Sequence, residues 1–233
     1  MNRGRNKGTA YFIGVGPGDP ELMTIKSKRL IEENDIFFVR GEDPREELAY
    51  KIAEVAVPEI KDKTVMSLEI PDHVEPDMLQ EVCWREARNI EKYLDRGENI
   101  GILVLGDPMV YSRSIYILYA LEHDGYETVV SSAVTTFSAA AGQLKQPLAD
   151  RDQPCHIIPA TYSAGRYYHQ AGNYVVTKTE GHMKNLRDIP GLRRRDVKAI
   201  SNIGLPNQRI FENFDDIPED SGFFTILIAR EKK

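Results

Sequence analysis

The chain is poor in thiols. Its two cysteines, Cys83 and Cys155, among 233 residues cannot build a disulfide framework, and neither sits in the CxxC or HxxxC spacing that would suggest zinc. A reducing, cytoplasmic setting fits. Long apolar runs are missing as well: no segment approaches the ~18 residues a membrane helix needs. The basic opening "MNRGRNKGTA" is followed by only about five apolar residues, short of the apolar core of a secretion signal, so a frayed tail is expected there. Nor is there an excess of positive charge. Lys+Arg 30 against Asp+Glu 36 gives a formal charge of −6, which does not favour a phosphate backbone, and a nucleic-acid partner is not expected. No GxxxxGK[ST] occurs, which removes the P-loop reading.

What is present suits a packed α/β protein. An apolar share of 41% is enough for one large core or two small ones. The stretch "YFIGVGPGDPELMTIKSKRLIEENDIFFV", residues 11 to 39, reads as strand, Gly/Pro/Asp loop, helix, strand. That order is the βαβ outline of an open parallel sheet, whose ligand loops lie beyond the strand ends. Thr24 is placed to cap the helix, with Ile25, Leu30 and Ile31 on one side. Residues 45 to 56 repeat an amphipathic period through Leu48, Ile52 and Val55. The proline-bearing "VMSLEIPDHVEPD" is expected to be a loop without a regular element. A long helix follows from Met78 to Arg96, its stripe made by Leu79, Val82, Cys83, Ala87, Ile90 and Leu94, with Gly97 at the C-terminal cap position. "NIGILVLGDPMVYS" is then a strand entering a second Gly-Asp-Pro loop.

The second half changes character. "ETVVSS" is a strand and "TTFSAAAGQL" a small-residue helix. "CHIIPA", "NYVVTK", "VKAISNI", "QRIFENF" and "GFFTILIA" are strand candidates joined by segments too short for repeated crossovers, so some antiparallel pairing is expected. The reading is two α/β domains, residues 1–133 with an open, mainly parallel sheet and residues 134–233 with a mixed sheet. A small-molecule site is expected in a cleft between them.

The first loop, "GVGPGD", departs from the dinucleotide pattern, because Asp19 stands where the third glycine belongs. A carboxylate there repels a pyrophosphate, and Pro17 and Pro20 remove two N–H donors a phosphate cradle would use. Taken alone, these glycines are also compatible with a plain tight turn. The loop recurs, however, with complementary parts: "LGDP" at 105–108 and "TTFSAAA" after a third strand.

This set resembles the tetrapyrrole methylase family, from Tyr11 to about Arg230. "GVGPGDPELMTIKSKRLIEENDIFFV" looks like its opening signature, "VLGDP" its central motif, "TTFSAAAGQLKQPLADRDQ" its Thr-helix and the turn after it, and "SNIGLPNQRIF" its late glycine loop. Within the family, "LGDPMVYSRSIYIL" and "TTFSAAA", with the tryptophan in "CWREARNIEKYLDRGENIGILVLGDP", look most like the branch that methylates C20 of precorrin-2 or cobalt-factor II in cobalamin biosynthesis. The resemblance implies the tetrapyrrole methylase fold, a homodimer, and S-adenosylmethionine held largely by main-chain groups. It points to Pro17, to Leu105, Gly106 and Asp107 around the methionine moiety, and to Val110 as an apolar wall. It also points to Thr135 and Thr136 opening the alanine-rich helix, to Lys178, and to Gly204 near the adenine. A neutralising role for Asp107 toward the amino group, and N–H groups at 135 and 136 facing the carboxylate, make physical sense.

Two positions depart from the family pattern. Ser131, Ser132 and Ala133 replace the usual Val-Pro-Gly, so other residues must make that turn, and Lys178 stands where many relatives carry methionine. Candidate bases by chemistry and loop position are Asp19, Tyr111 and His73. Arg40, Arg113, Arg151 and Arg166 are candidates for substrate carboxylates, while 193–195 reads as a solvated turn and Tyr167 and Tyr168 as core. Open alternatives are another methyltransferase of the family, acting at a different ring carbon or on protein or RNA, and a non-catalytic tetrapyrrole-binding relative.

Overall fold

The computed structural model describes residues 7–71, 75–161, 166–221 and 224–232. The chain divides into two compact units, Met1–Thr135 and Thr136–Lys233.

In the first unit five parallel strands form one sheet: β1 (Thr9–Gly14), β2 (Ile36–Arg40), β3 (Thr64–Leu68), β4 (Ile100–Val104) and β5 (Glu127–Ser131), in the order β3-β2-β4-β1-β5. Parallel strands need crossovers, supplied by helices α1 (Ile25–Glu33), α2 (Leu48–Ala56), α3 (Pro76–Leu94) and α4 (Ser114–His123). Because successive strand residues face opposite ways, adjacent apolar residues feed different cores. Ile13, Phe37 and Leu103 pack with Leu30, Ile31, Tyr50 and Ile52 of α1 and α2. Phe12, Phe38 and Ile102 pack with Ile90 and Leu94 of α3 and Ile117 and Leu121 of α4.

Thr24 caps α1, its hydroxyl accepting from the Ser27 amide, and Gly97 follows α3 with φ of 83°. Three expectations are corrected. Residues 64–68 form an edge strand in register with β2, from Ile36↔Thr64 to Arg40↔Leu68, rather than a loop; the prolines lie beyond its end. Ile25 is 89% exposed and Val55 66% exposed, because the buried faces are Ser27, Leu30 and Ile31 in α1 and Ala49, Tyr50, Ile52 and Ala53 in α2. Helix α4 was not legible: seven of its residues are apolar on all sides of the wheel and give no clear stripe.

The second unit carries β6 (Cys155–Pro159), β7 (Asn173–Thr177), β8 (Asp196–Ser201), β9 (Arg209–Phe211) and β10 (Ile226–Arg230) in the order β6-β7-β10-β8-β9. Among the described residues β6 and β7 are the one parallel pair of neighbours; β10 is antiparallel to β7 and β8, and β9 to β8, giving the expected mixed sheet. Helix α5 (Thr136–Gln143) covers one face through Ala140 with Val175, Ile200 and Ile228. Helices α6 (Met183–Arg187) and α7 (Pro190–Arg193) cover the other through Met183, Leu186 and Leu192 with Val176, Val197 and Leu227. Arg195 corrects the solvated-turn reading of 193–195. Its side chain is 10% exposed, lies 4.3 Å over the Tyr174 ring and donates to the carbonyls of Gln170, Gly172 and Gly191, so it pins the turn before β7.

Candidate functional site

In the first unit β1 lies between β4 and β5, so the chain segments leaving three neighbouring parallel strands emerge side by side at one sheet edge. After the strands end, the first two segments turn toward each other. The Val15 amide donates to the Val104 carbonyl at 2.9 Å, and Gly16 and Gly106 form an isolated antiparallel bridge with Gly106 N to Gly16 O at 2.8 Å and Gly16 N to Gly106 O at 3.4 Å. Both glycines take left-handed backbone, φ 86° and 72°, which a residue with a Cβ adopts only with strain. Gly14 is needed for a different reason. A Cβ there would stand 2.7 Å from Ala133 Cβ, 2.8 Å from the Gly106 carbonyl oxygen and 2.8 Å from Pro108 Cδ. The three loops therefore meet at Gly14, a role that sequence reasoning, which treated it as one of several loop glycines, did not single out.

Pro17 and Gly106 are buried, and Leu105 and Val110 are partly so. Asp107 is 9% exposed and works as a strut: one carboxylate oxygen accepts from the Met109 amide at 2.8 Å, closing its own turn, and the other from the Ala133 amide at 2.9 Å. This supplies part of the turn that Ser131, Ser132 and Ala133 make without glycine or proline. The remainder comes from α1. Ser27 and Ser131, both fully buried, share a hydroxyl bond of 2.9 Å, the Thr24 hydroxyl reaches the Ser132 carbonyl at 3.4 Å, and the Lys26 ammonium donates to the Val130 carbonyl at 2.9 Å.

Thr135 closes the first unit and Thr136 opens the second as the first residue of α5. Lys178 and Gly204 follow β7 and β8, which run the same way on either side of β10, so both lie at the same end of the second sheet. Lys178 is exposed with φ of 53°, and Gly204 has its amide on Gln208 Oε1 at 2.9 Å. Around that sheet end Thr177, Thr179, Ser201, Ser221 and Thr225 are all buried, with Ser201 and Thr225 hydroxyls bonded at 2.7 Å.

Among the candidate bases, Asp19 spends one oxygen capping the turn at 20–22 through the Glu21 amide at 2.9 Å. Tyr111 is 44% exposed with φ of 52°, and His73 lies outside the described residues. Arg40 and Arg113 sit at the loop edge of the first sheet, where they donate to the carbonyls of Ile70 and Pro71. Arg151 and Arg166 are exposed residues of the second unit. Cys83, buried between α3 and the sheet, has its thiol pushed up to about 11 by burial, which leaves it a packing residue rather than a nucleophile. Tyr168 is core and Tyr167 exposed.

The arrangement can be tested against ligand classes. A phosphate cradle needs free amides, yet the Gly16 and Gly106 amides are spent on each other's carbonyls and residues 17 and 20 are proline. Carbonyl oxygens keep a second lone pair. At the Gly16–Gly106 bridge acceptor capacity therefore outlasts donor capacity, which suits a cationic centre better than an anionic one.

The family model "Tetrapyrrole (Corrin/Porphyrin) Methylases" matches residues 9–217. The chain is 28% identical over 209 residues, 87% of its own length and 84% of the relative's, to the probable cobalt-precorrin-2 C(20)-methyltransferase of Methanocaldococcus jannaschii. To the cobalt-precorrin-2 C(20)-methyltransferase of Salmonella typhimurium it is 25% identical over 235 residues, covering 96% and 97% of the two chains. The fold is shared with the uroporphyrin-III C-methyl transferase of Thermus thermophilus complexed with S-adenyl homocysteine, with a TM-score of 0.67 at 19% identity over 96% and 98% of the chains. With its glycine loops, mixed second sheet and nearly full-length match, the chain belongs to the tetrapyrrole methylase family.

Proposed function

We propose that this protein is an S-adenosylmethionine-dependent C-methyltransferase that methylates C20 of precorrin-2 or of its cobalt-loaded form. The observation that carries the reading is the interlocking of the three strand-end loops, at 14–19, 105–108 and 131–133, around Gly14, with the Gly16, Gly106 and Ala133 amides spent on holding the loops to one another. Family membership and the names of the two relatives described above support the same choice of ring carbon.

When bound, S-adenosylmethionine supplies a methyl group already activated by its sulfonium. The chain's own work is then positional: aligning donor and acceptor and keeping water out. The residues assigned to the cofactor are Pro17, Leu105, Gly106, Asp107, Val110, Thr135, Thr136, Lys178 and Gly204. Carbonyl oxygens around the Gly16–Gly106 bridge stabilise positive charge. Asp107, while holding two main-chain amides, keeps lone pairs for an ammonium group. Lys178 carries a charge of the same sign as the donor, and its exposure lets water screen that repulsion. A homodimer and a cytoplasmic setting belong to the same proposal.

Calorimetry with S-adenosylmethionine and with S-adenosylhomocysteine tests the cofactor, and incubation with precorrin-2 and cobalt-factor II tests the substrate. Saturable binding and a product one methyl heavier, with the new group on C20 by NMR, are expected. A chain that binds the tetrapyrrole but neither form of the cofactor is a carrier, and the enzyme reading then fails.

A further inference from the structure

Four consecutive residues at the end of β5 are each tethered from outside the strand. The Val130 carbonyl takes Lys26 Nζ, the Ser131 hydroxyl takes Ser27, the Ser132 carbonyl takes Thr24 and the Ala133 amide gives to Asp107. None of residues 131–133 has left-handed backbone, so no glycine or proline fixes the path of this turn locally. Its position is set by side chains of α1 on one side and of the 105–108 loop on the other. The turn matters beyond itself, because Ala133 Cβ is the atom closest to where a Gly14 Cβ would stand, and Asp107 joins it to the Gly106 bridge. A shift at 131–133 is transmitted to both other loops.

We propose that the Ser27–Ser131 hydroxyl pair, with Asp107 opposite, is a positioning device for the methyl donor: it acts through the 131–133 turn and does not touch the reacting atoms. The inference rests on the methyltransferase reading above and assigns Asp107 a positioning role within it. Its energetic signature separates position from mere stability. Removing the Ser27 hydroxyl takes away the bond that the buried Ser131 hydroxyl makes, whereas removing that of Ser131 leaves Ser27 bonded to the Thr24 hydroxyl at 3.0 Å; removing both strands neither member of the pair and costs less than Ser27→Ala alone.

Donor affinity by calorimetry and melting temperature are therefore measured together for the full chain and for Ser27→Ala, Ser131→Ala and the double variant. Ser27→Ala is expected to lower the melting temperature more than Ser131→Ala, and each to weaken S-adenosylmethionine binding by about 5-fold, the size of one lost hydrogen bond. In the double variant the melting temperature rises above that of Ser27→Ala while the affinity stays down, because the tether is still gone. Lys26→Met, an exposed change that spares the fold, is expected to weaken binding by about 2-fold and carries the test should the buried variants not fold. If all variants bind the donor as the parent does, or if affinity recovers together with stability in the double variant, the hydroxyls are structural only and the inference is overturned. If the parent itself does not bind the donor, the methyltransferase reading falls, and this inference with it.

Discussion

Gly14→Ala is the sharpest perturbation of the site that leaves every polar group in place. The new methyl would meet Ala133 Cβ at 2.7 Å, the Gly106 carbonyl oxygen at 2.8 Å and Pro108 Cδ at 2.8 Å. Carbon atoms in contact prefer about 3.5–4.0 Å, so the two carbon neighbours, one on each of two loops, must retreat by about 1 Å and the carbonyl oxygen by less. Overpacking of this kind costs about 1–3 kcal/mol, which for a chain of this size lowers the melting temperature by roughly 3–10 °C. The displaced atoms belong to the loops assigned to the donor, so calorimetry with S-adenosylmethionine should show a loss of at least about 10-fold, steeper than the stability change alone would cause. Ala133→Gly on the same background removes the closest of the three contacts and restores part of both quantities. Full restoration would refute the reasoning, since two contacts remain, and so would a Gly14→Ala variant that melts and binds as the parent does.

Two other predictions concern stability away from the site. The Lys63 ammonium closes the end of α1 by donating to the carbonyls of Ile31 at 2.8 Å, Glu32 at 2.6 Å and Asn34 at 2.7 Å. Lys63→Met keeps the stem and loses these charge-assisted bonds, and urea unfolding should show a loss of about 2 kcal/mol. Glu91 is held above its ordinary value of 4.5, first by burial and then by its contact with Asp124 and the charges of Asp124 and Asp95. A carboxyl raised in the folded state favours folding while it is protonated, and that contribution fades as pH climbs from 4.5 through the raised value. Asp124 is lowered, chiefly by its bond from His123, and its contribution is lost only on acidification below its ordinary 3.8. At neutral pH Glu91→Gln should therefore raise the melting temperature by about 1–3 °C, and melts repeated on the acid side should show the gain vanish; a gain that does not depend on pH would sink the explanation.

Much of the architecture was legible because local signals agreed with the tertiary outcome. Thr24 lies one residue before α1 and caps it, and Gly97 lies just past α3 where a left-handed residue ends a helix. The strands of the second half were readable from their β-branched runs, and their short connections dictated a mixed sheet. Failures came where a residue's neighbours in space decide its role. Ile25 has the chemistry of a core residue but sits roughly 140° around the helix from Leu30, and only the position of the sheet says which side is inside. β3 was hidden because the prolines after it dominate the window, while the pairing with β2 that makes it a strand lies about 28 residues away in sequence. Arg195 looked like one of three surface arginines, and its carbonyl partners come from turns that sequence cannot bring to it. At the site, motifs announced the loops, yet the close approach at Gly14 and the serine pair are visible only once β4, β1 and β5 lie side by side.

That strand order has a temporal consequence. The first strand synthesised ends up flanked by two of the last to be made in its unit, so residues near 14 wait for partners about ninety and more than a hundred positions downstream. Pairings so distant along the chain form slowly. On a ribosome, a fragment halted just before the serine of β5 should be blind to the donor however much helix it has already formed, and full affinity should wait for the downstream residues 135, 136, 178 and 204.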